Sequence, residues 1–472
     1  MFLGVGIYSG LRQQGTVEDY LLASRTANPW LMGLSTVATS NSGYVFIGLI
    51  GLTYRIGIAA AWLIIGWILG DFLAWTVVHR RLRRVSEHID AATVSSFLGQ
   101  EGLEQRWLTV TAAVTTVAFV GVYAATQLQA GSKALSVIFG WDYAAGIILG
   151  AVVVTIYCFA GGIRASIWVG SIQSVLMIAS MLILVSIAVA TSGGLTGLWA
   201  QLHEIDPTLL DLSPPDLRFG LIPFALSWLM AGFGVVGQPH VMRRVMAIDS
   251  SQNVYVARNV YTVLYIVFAI AALLVGLASR VLLPELMSGG DTELALPQLT
   301  QNLLPALLVG IVLAGLFAAT ISTADAQLLT CSAALTQDVF PKASQSVLLA
   351  RLGTLLVSLI ILAIALLGSD NVFVLATLAW STLASGLGPL MVVRVLRLPV
   401  STLVGLAMMA VGVATSLTWR LGLGLADSAC EALPGMLAGA LVYVVTQLPH
   451  WMAGKPVLSS EAALDAASKP SD

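Results

Sequence analysis

Twelve long apolar stretches, joined by short polar links, occupy most of the chain. They fall near residues 30–54, 57–78, 107–139, 143–160, 165–190, 219–237, 257–283, 306–335, 347–367, 371–395, 399–419 and 433–448. Crossing a bilayer takes about 20 apolar residues in a helix. The pattern therefore predicts about twelve full membrane-spanning helices. The opening MFLGVGIYSG is too short to span and shows no signal-peptide cleavage pattern. It reads as the tail of a truncated helix whose start is missing. The polar link at 11–29 carries Glu18, Asp19, Tyr20 and Arg25.

Composition agrees with the pattern. Apolar residues make up 58% of the 472-residue chain and charged residues 10%, and the mean hydropathy is +0.91. A soluble chain of this length carries far more charge. The expectation is an all-α polytopic membrane protein. Its single transmembrane domain covers 1–453, and a short polar tail follows at 454–472. The three cysteines, Cys158, Cys331 and Cys430, form no CxxC or Cys/His cluster and suggest neither a metal site nor a disulfide framework. The net charge of -2 says little, but the placement of charge says more. Arg80, Arg81, Arg83, Arg84, Arg164, Arg243, Arg244, Lys342, Arg394 and Arg397 share one side if the spans alternate. Glu204, Asp206, Asp211, Asp216, Glu285, Asp291 and Glu293 share the other. By the positive-inside rule the arginine side is cytoplasmic and the N-terminus lies outside.

Two spans are poor helices in their middles. In the first, Ala38-Thr39-Ser40-Asn41-Ser42-Gly43 interrupts the apolar run. Ser, Thr and Asn compete for backbone hydrogen bonds, and Gly adds chain entropy. A membrane tolerates such a break only where protein or a water-filled cavity shields the freed groups. Freed carbonyls beside hydroxyls suit a small hard cation, and Ser40, Ser42 and Tyr44 then line a solute pocket. The alternative is that the cluster serves close helix packing. The sixth span repeats the pattern with Ala231-Gly232-Phe233-Gly234-Val235-Val236-Gly237 before Gln238-Pro239-His240. Two interrupted spans, five apart, fit two inverted five-helix repeats at 30–190 and 219–396, with extra helices at 397–453. The alternative there is a hinge at Gly237 and Pro239, or plain glycine packing.

The eighth span places Ala319, Ser322 and Thr323 at i, i+3 and i+4, on one helix face. Together they can offer a carbonyl and two hydroxyls to one point. Asp325 lies in the same apolar run, where a carboxylate is costly and marks a coupling residue or an arginine partner. Asp71, late in the second span, reads as an interfacial group beside the arginine cluster. No nucleophile–base pair or metal-ligand spacing points to an enzyme.

The stretches VEDYLLASR, LSTVATSNSGYVFIGLIG, RLRRVSEHIDAATVSSFL, YCFAGGIRASIWVGSIQ, GQPHVMRRVMAIDS, STADAQLLTCSAALTQDVF and AWSTLASGLGP follow one another in this order. With them the chain resembles the sodium/solute symporter family, and most of all its bacterial sodium/proline symporters. The resemblance implies the leucine-transporter-type inverted-repeat fold and a sodium site between the first and eighth spans. The implied sodium ligands are the carbonyls of Ala38, Asn41 and Ala319 and the hydroxyls of Ser322 and Thr323. Arg25 matches an arginine tied to sodium-dependent transport, and Tyr123 an aromatic of the solute pocket.

The chain also departs from that pattern. The aspartate that the proline carriers place beside the first break is Ser40 here. The Trp-Thr-Asp motif of a second sodium site reads Trp168-Val169-Gly170, which predicts one sodium ion. Pocket aromatics of the sixth span become Ala231 and Val235, leaving volume that Phe233, Tyr44 or Trp228 would have to fill. The expected function is import of a small organic solute, an amino acid such as proline, by sodium-coupled alternating access. The setting implied is a bacterial inner membrane, with no nucleic acid and no obligatory protein partner. The alternatives are a bulkier amino acid or organic acid as solute, or a symporter-like solute sensor.

Overall fold

A computed structural model describes residues 17–99, 105–214, 217–288, 290–341 and 347–452. Lys342, Asp216, the N-terminal remnant and the polar tail lie outside the described residues. Among the described residues the chain is helical, and its one β-type contact is a bridge between Ala27 and Ile248. Each stretch expected to span falls on a helix. Among the described residues seven helices are long and apolar enough to cross a membrane, or eight if the bent sixth span counts as one. Three more, Tyr143–Ile156, Arg351–Leu367 and Ala432–Leu448, are apolar but shorter.

Both expected interruptions are present. The first span is Pro29–Ser40, a break at Asn41 and Ser42, then a π-helical turn Tyr44–Leu49 that runs into Ile50–Ile56. Its start is fixed by Asn28, whose side chain accepts from the amides of Trp30 and Leu31, with Pro29 at the first helical position. The sixth span is Leu221–Phe233, a tight turn Gly234–Gly237, then Pro239–Met246, bent by 57°. Pro239 has no amide to donate and pushes Gln238 to extended backbone (φ -101°, ψ 98°), which ends the first half.

Glycine packing operates in the sixth span as well. A methyl group on Gly232 would sit 2.3 Å from the Trp67 carbonyl oxygen, and one on Gly234 2.5 Å from the Ala384 Cβ. Small residues thus let the second and tenth spans press against the bent backbone. The fourth and fifth spans meet at Gly162, whose φ of 55° and ψ of -165° suit only glycine.

The first span packs on the fifth, seventh and eighth, and the turn after its break packs on the tenth. At the end away from the arginines, Lys133 of the third span binds Glu293 (2.7 Å) and Asp291. Glu293 also accepts from the amides of Val372 (3.0 Å) and Phe373 (2.7 Å) at the start of the tenth span. The buried Lys133–Glu293 pair, with the exposed Asp291 at its edge, pins the link after the seventh span across the bundle, and its remaining lone pairs are satisfied by backbone.

Candidate functional site

The break and the eighth span meet where their hydroxyls and carbonyls coincide. The Ser322 hydroxyl donates to the Ala38 carbonyl (2.8 Å), with the Ala319 carbonyl as its alternative acceptor at 3.1 Å. The Thr323 hydroxyl donates to the Thr39 carbonyl (3.0 Å) and approaches that of Ala38 (3.5 Å). All five of these residues are buried. Asn41 caps the first half-helix with its amide on the Val37 carbonyl (2.9 Å), and both ends of its buried side-chain amide lack a partner among the described residues. Four of the five expected cation-site residues, Ala38, Ala319, Ser322 and Thr323, therefore share direct contacts. Asn41 sits beside them and offers an unused buried oxygen. Neutral oxygens converging from two spans fit a monovalent hard cation, which must bind and leave again.

Ser42 and Tyr123 are joined through their hydroxyls at 3.1 Å. The amides that open the second half of the first span are held by side chains. Gly43 N–H donates to Gln127 Oε1 (2.9 Å), and Tyr44 N–H to the Ser42 hydroxyl (3.2 Å). A ring cluster surrounds this point. Tyr44 stacks on Trp67 and Phe373 at centroid distances of 5.7 and 5.4 Å, and Trp67 meets Trp380 at 4.7 Å. Trp380 also faces Tyr123 (6.2 Å) and His240 (6.5 Å).

The indole of Trp380 donates to the Ala231 carbonyl (2.7 Å), and Gln238 donates to the Trp380 carbonyl (2.9 Å). Aromatic bulk therefore arrives from the second and tenth spans where Ala231 and Val235 leave the sixth span slim. Phe233 is only partly buried and joins none of these ring contacts among the described residues. Trp67, Phe373 and Trp380 had no distinguishing signal in the sequence, because each reads as ordinary span material, whereas Gln127 is a polar residue inside the apolar third span and carried a signal.

A second polar layer lies toward the arginine-rich end. Arg244, in the half-helix after the sixth-span break, donates to Ser35 of the first span and to Ser166 of the fifth (3.0 Å). Asp325 accepts from the Cys158 thiol (3.2 Å) and lies beside Ser166, Arg244 and Arg243. Arg243 donates to the Leu329 carbonyl (3.3 Å). Asp325 thus takes part in a four-span clasp beside arginines.

Arg25 donates to the carbonyls of Ala91 (3.0 Å), Ser86 (3.3 Å) and Met246 (3.5 Å). It closes the same end by tying the first link to the ends of the second and sixth spans. Ala23, Ser24 and Arg25 all hold φ near +50°. Such backbone costs about 1–3 kcal/mol per residue and persists only where surroundings impose it. Asp71 departs from its expected interfacial place. It is buried at 3% exposure, with Tyr261 of the seventh span beside it.

A broken first span, a bent sixth span and a polar cluster between the first and eighth describe an ion-coupled membrane transporter. The chain belongs to the sodium:solute symporter family, whose family description matches residues 20–411. It is 28% identical to the high-affinity proline transporter PutP of Bacillus subtilis over 456 residues, covering 94% of this chain and 95% of that one. It is 30% identical to the sodium/proline symporter of Salmonella typhimurium over 451 residues, covering 93% of this chain and 89% of that one. Among solved structures, a Na+-coupled sialic acid symporter in a substrate-bound outward-open state superposes with a TM-score of 0.78. That match has 19% identity and covers 94% of each chain. The nucleobase-cation-symport-1 transporter Mhp1, in a closed conformation, gives a TM-score of 0.61 at 17% identity, covering 94% of this chain and 96% of that one. The likeness in sequence to the symporter family is thus matched by likeness in fold.

Proposed function

We propose that this protein is a sodium-coupled symporter that imports proline, or an amino acid of similar size, by alternating access. One observation carries the reading: the Ser322 and Thr323 hydroxyls converge on the carbonyls of Ala38 and Thr39 at a mid-span break. Sodium, as the driving substrate, binds among these oxygens with Ala319 and Asn41, one ion per cycle. It replaces the hydroxyl–carbonyl hydrogen bonds and holds the first and eighth spans together. The two inverted repeats, 30–190 and 219–396, rock about this joint across twelve spans in a bacterial inner membrane. Basic loops face the cytoplasm and the N-terminus faces outside.

The solute sits against Ser40, Ser42, Tyr44 and Tyr123, with Ala231, Phe233 and Val235 of the sixth span as the opposite wall. Its carboxylate competes for the Gly43 and Tyr44 amides, at the positive end of the second half-helix. Its ammonium faces the rings of Tyr44, Trp67 and Trp380, which favour a cation. The indoles of Trp67 and Trp380 fill the space beside Ala231, which supports a proline-sized solute over a bulkier one. Gly237 and Pro239 supply the hinge, and Asp325 and Arg25 belong to the closure on the cytoplasmic side. Sodium drives the cycle only by binding one conformation better than the other. The inward-negative potential adds about 2.3 kcal/mol per charge per 100 mV.

Purified protein in proteoliposomes tests the reading. An inward sodium gradient should drive accumulation of labelled proline, and removal of sodium should abolish it. Full uptake on a proton gradient alone would overturn the sodium assignment.

A further inference from the structure

The wall between the second and seventh spans holds a carboxylate that the sodium site does not use. Asp71 is buried, and its Oδ1 has no hydrogen-bond partner among the described residues. Its neighbour is the Tyr261 hydroxyl, which also lies beside the side chain of Ser40 at the end of the first half-helix. Tyr265 stands beside Tyr261 with ring centroids 5.5 Å apart, also near Asp71. A carboxylate inside a membrane protein without a cationic partner is expensive, so a mobile cation is the natural neutraliser.

The helix changes character just past Asp71. Trp75–His79 is a π-helical turn, a feature that gathers at functional sites. Along this turn the Trp75 indole N–H and both His79 ring nitrogens are buried without hydrogen-bond partners among the described residues. Trp75 packs on His79 (4.5 Å between centroids) and on Tyr261 (5.7 Å). Asp71, Trp75 and His79 stand at i, i+4 and i+8, so they form one polar stripe running toward the arginine-rich end.

Few other charges face this carboxylate. The seventh span brings Tyr261 and Tyr265. Its Arg258 is turned away onto the Phe72 ring (4.5 Å) and the Thr76 hydroxyl (3.0 Å). The first span brings Ser40 and, toward Trp67, Tyr44. Leu221–Phe233 and Gly234–Gly237 of the sixth span contain no titratable residue.

We propose that Asp71 is a proton-binding site, coupled to the first-span break through Tyr261 and Ser40. Protonation adds one proton from water to the unpartnered carboxylate oxygen and removes the negative charge beside the break. Ionised Asp71 then favours a cation at Ala38 and Asn41, and protonated Asp71 weakens its hold. Trp75 and His79 line the route by which the proton reaches the arginine-rich end. The coupling rests on the sodium reading above, whereas the proton site itself does not.

The test has two parts. In proteoliposomes with equal pH on both sides, the apparent sodium constant for proline uptake should rise as pH falls from mildly alkaline to mildly acid. The expected rise is roughly 5-fold or more. Asp71→Asn should hold one constant at every pH, while His79→Gln should keep the rise. Separately, infrared spectra of purified protein without sodium or solute should show a protonated-carboxyl band that titrates and is missing in Asp71→Asn. Tyr261→Phe offers a second variant: it should keep the band and lose the pH dependence of the sodium constant.

A pH profile retained in Asp71→Asn, or one lost only in His79→Gln, overturns the proposal. So does an infrared signal in which Asp71 stays ionised and responds to sodium instead. Wild-type protein that shows the band but no sodium-driven uptake would count against the symport reading and leave the proton site standing.

Discussion

Ser322→Ala isolates the joint between the two spans. The serine is buried, and its hydroxyl contacts two carbonyls, Ala38 at 2.8 Å and Ala319 at 3.1 Å. In the proposed cycle sodium occupies the joint, and that hydroxyl turns a lone pair toward the ion. A polar contact to a charged group contributes about 1.5–3 kcal/mol. At about 1.4 kcal/mol per factor of ten, the sodium constant should rise roughly 10- to 150-fold. Without sodium, the substitution removes neutral hydrogen bonds of about 0.5–1.5 kcal/mol net each. The Ala38 carbonyl, freed at the break, keeps the Thr323 hydroxyl at 3.5 Å, and the Ala319 carbonyl lies within a continuous helix, so folding and insertion should change little.

The assay is initial proline uptake against sodium concentration, with the amount of inserted protein measured in parallel. The maximal rate at saturating sodium should fall less than the affinity does, and Ser322→Thr should restore most of the affinity. An unchanged sodium constant in a well-inserted Ser322→Ala protein would refute the reasoning and move the ion elsewhere.

Three further substitutions probe the surrounding layers. Gly43→Ala puts a methyl group 2.5 Å from the Ala130 Cβ and 3.2 Å from Gln127 Oε1, so uptake should collapse. Ala130→Gly should recover part of it in the double variant. Trp380→Phe leaves the Ala231 carbonyl without its 2.7 Å donor. At about 1–3 kcal/mol for such a loss, the proline constant should rise roughly 5- to 150-fold, with a smaller change in the sodium constant. Arg244→Ala removes the bridge between Ser35 and Ser166. It should lower the maximal uptake rate more than it changes either constant, as measured by the same uptake assay.

The elements legible in the sequence were those where residue type conflicts with its surroundings. Hydroxyls and an asparagine inside an apolar run marked the break at Asn41 and Ser42, and the i, i+3, i+4 spacing put Ala319, Ser322 and Thr323 on one face. Three glycines before Pro239 marked the bend of the sixth span. What stayed hidden was chemistry that looks like lipid-facing bulk. Trp67, Phe373 and Trp380 have the composition of any span, and only packing turns them inward. Asp71 lies four residues before Trp75 and close in sequence to Arg80, which suggested the interface. The helix instead turns it inward, toward Tyr261. The π-helical turns at Tyr44–Leu49, Trp75–His79 and Ala334–Val339 were also unreadable, because hydropathy carries no signal for one extra residue in a turn.

The central claim is that one cation is held by neutral oxygens of the first and eighth spans. Thallium(I), a heavy monovalent stand-in for sodium, can be located by anomalous scattering in crystals of the purified protein. The account predicts one strong peak, lying between the Ala38 carbonyl and the hydroxyls of Ser322 and Thr323 and lost when sodium is added in excess. A peak confined to another place, with the Ser322 and Thr323 hydroxyls still bonded to the first span, would contradict it.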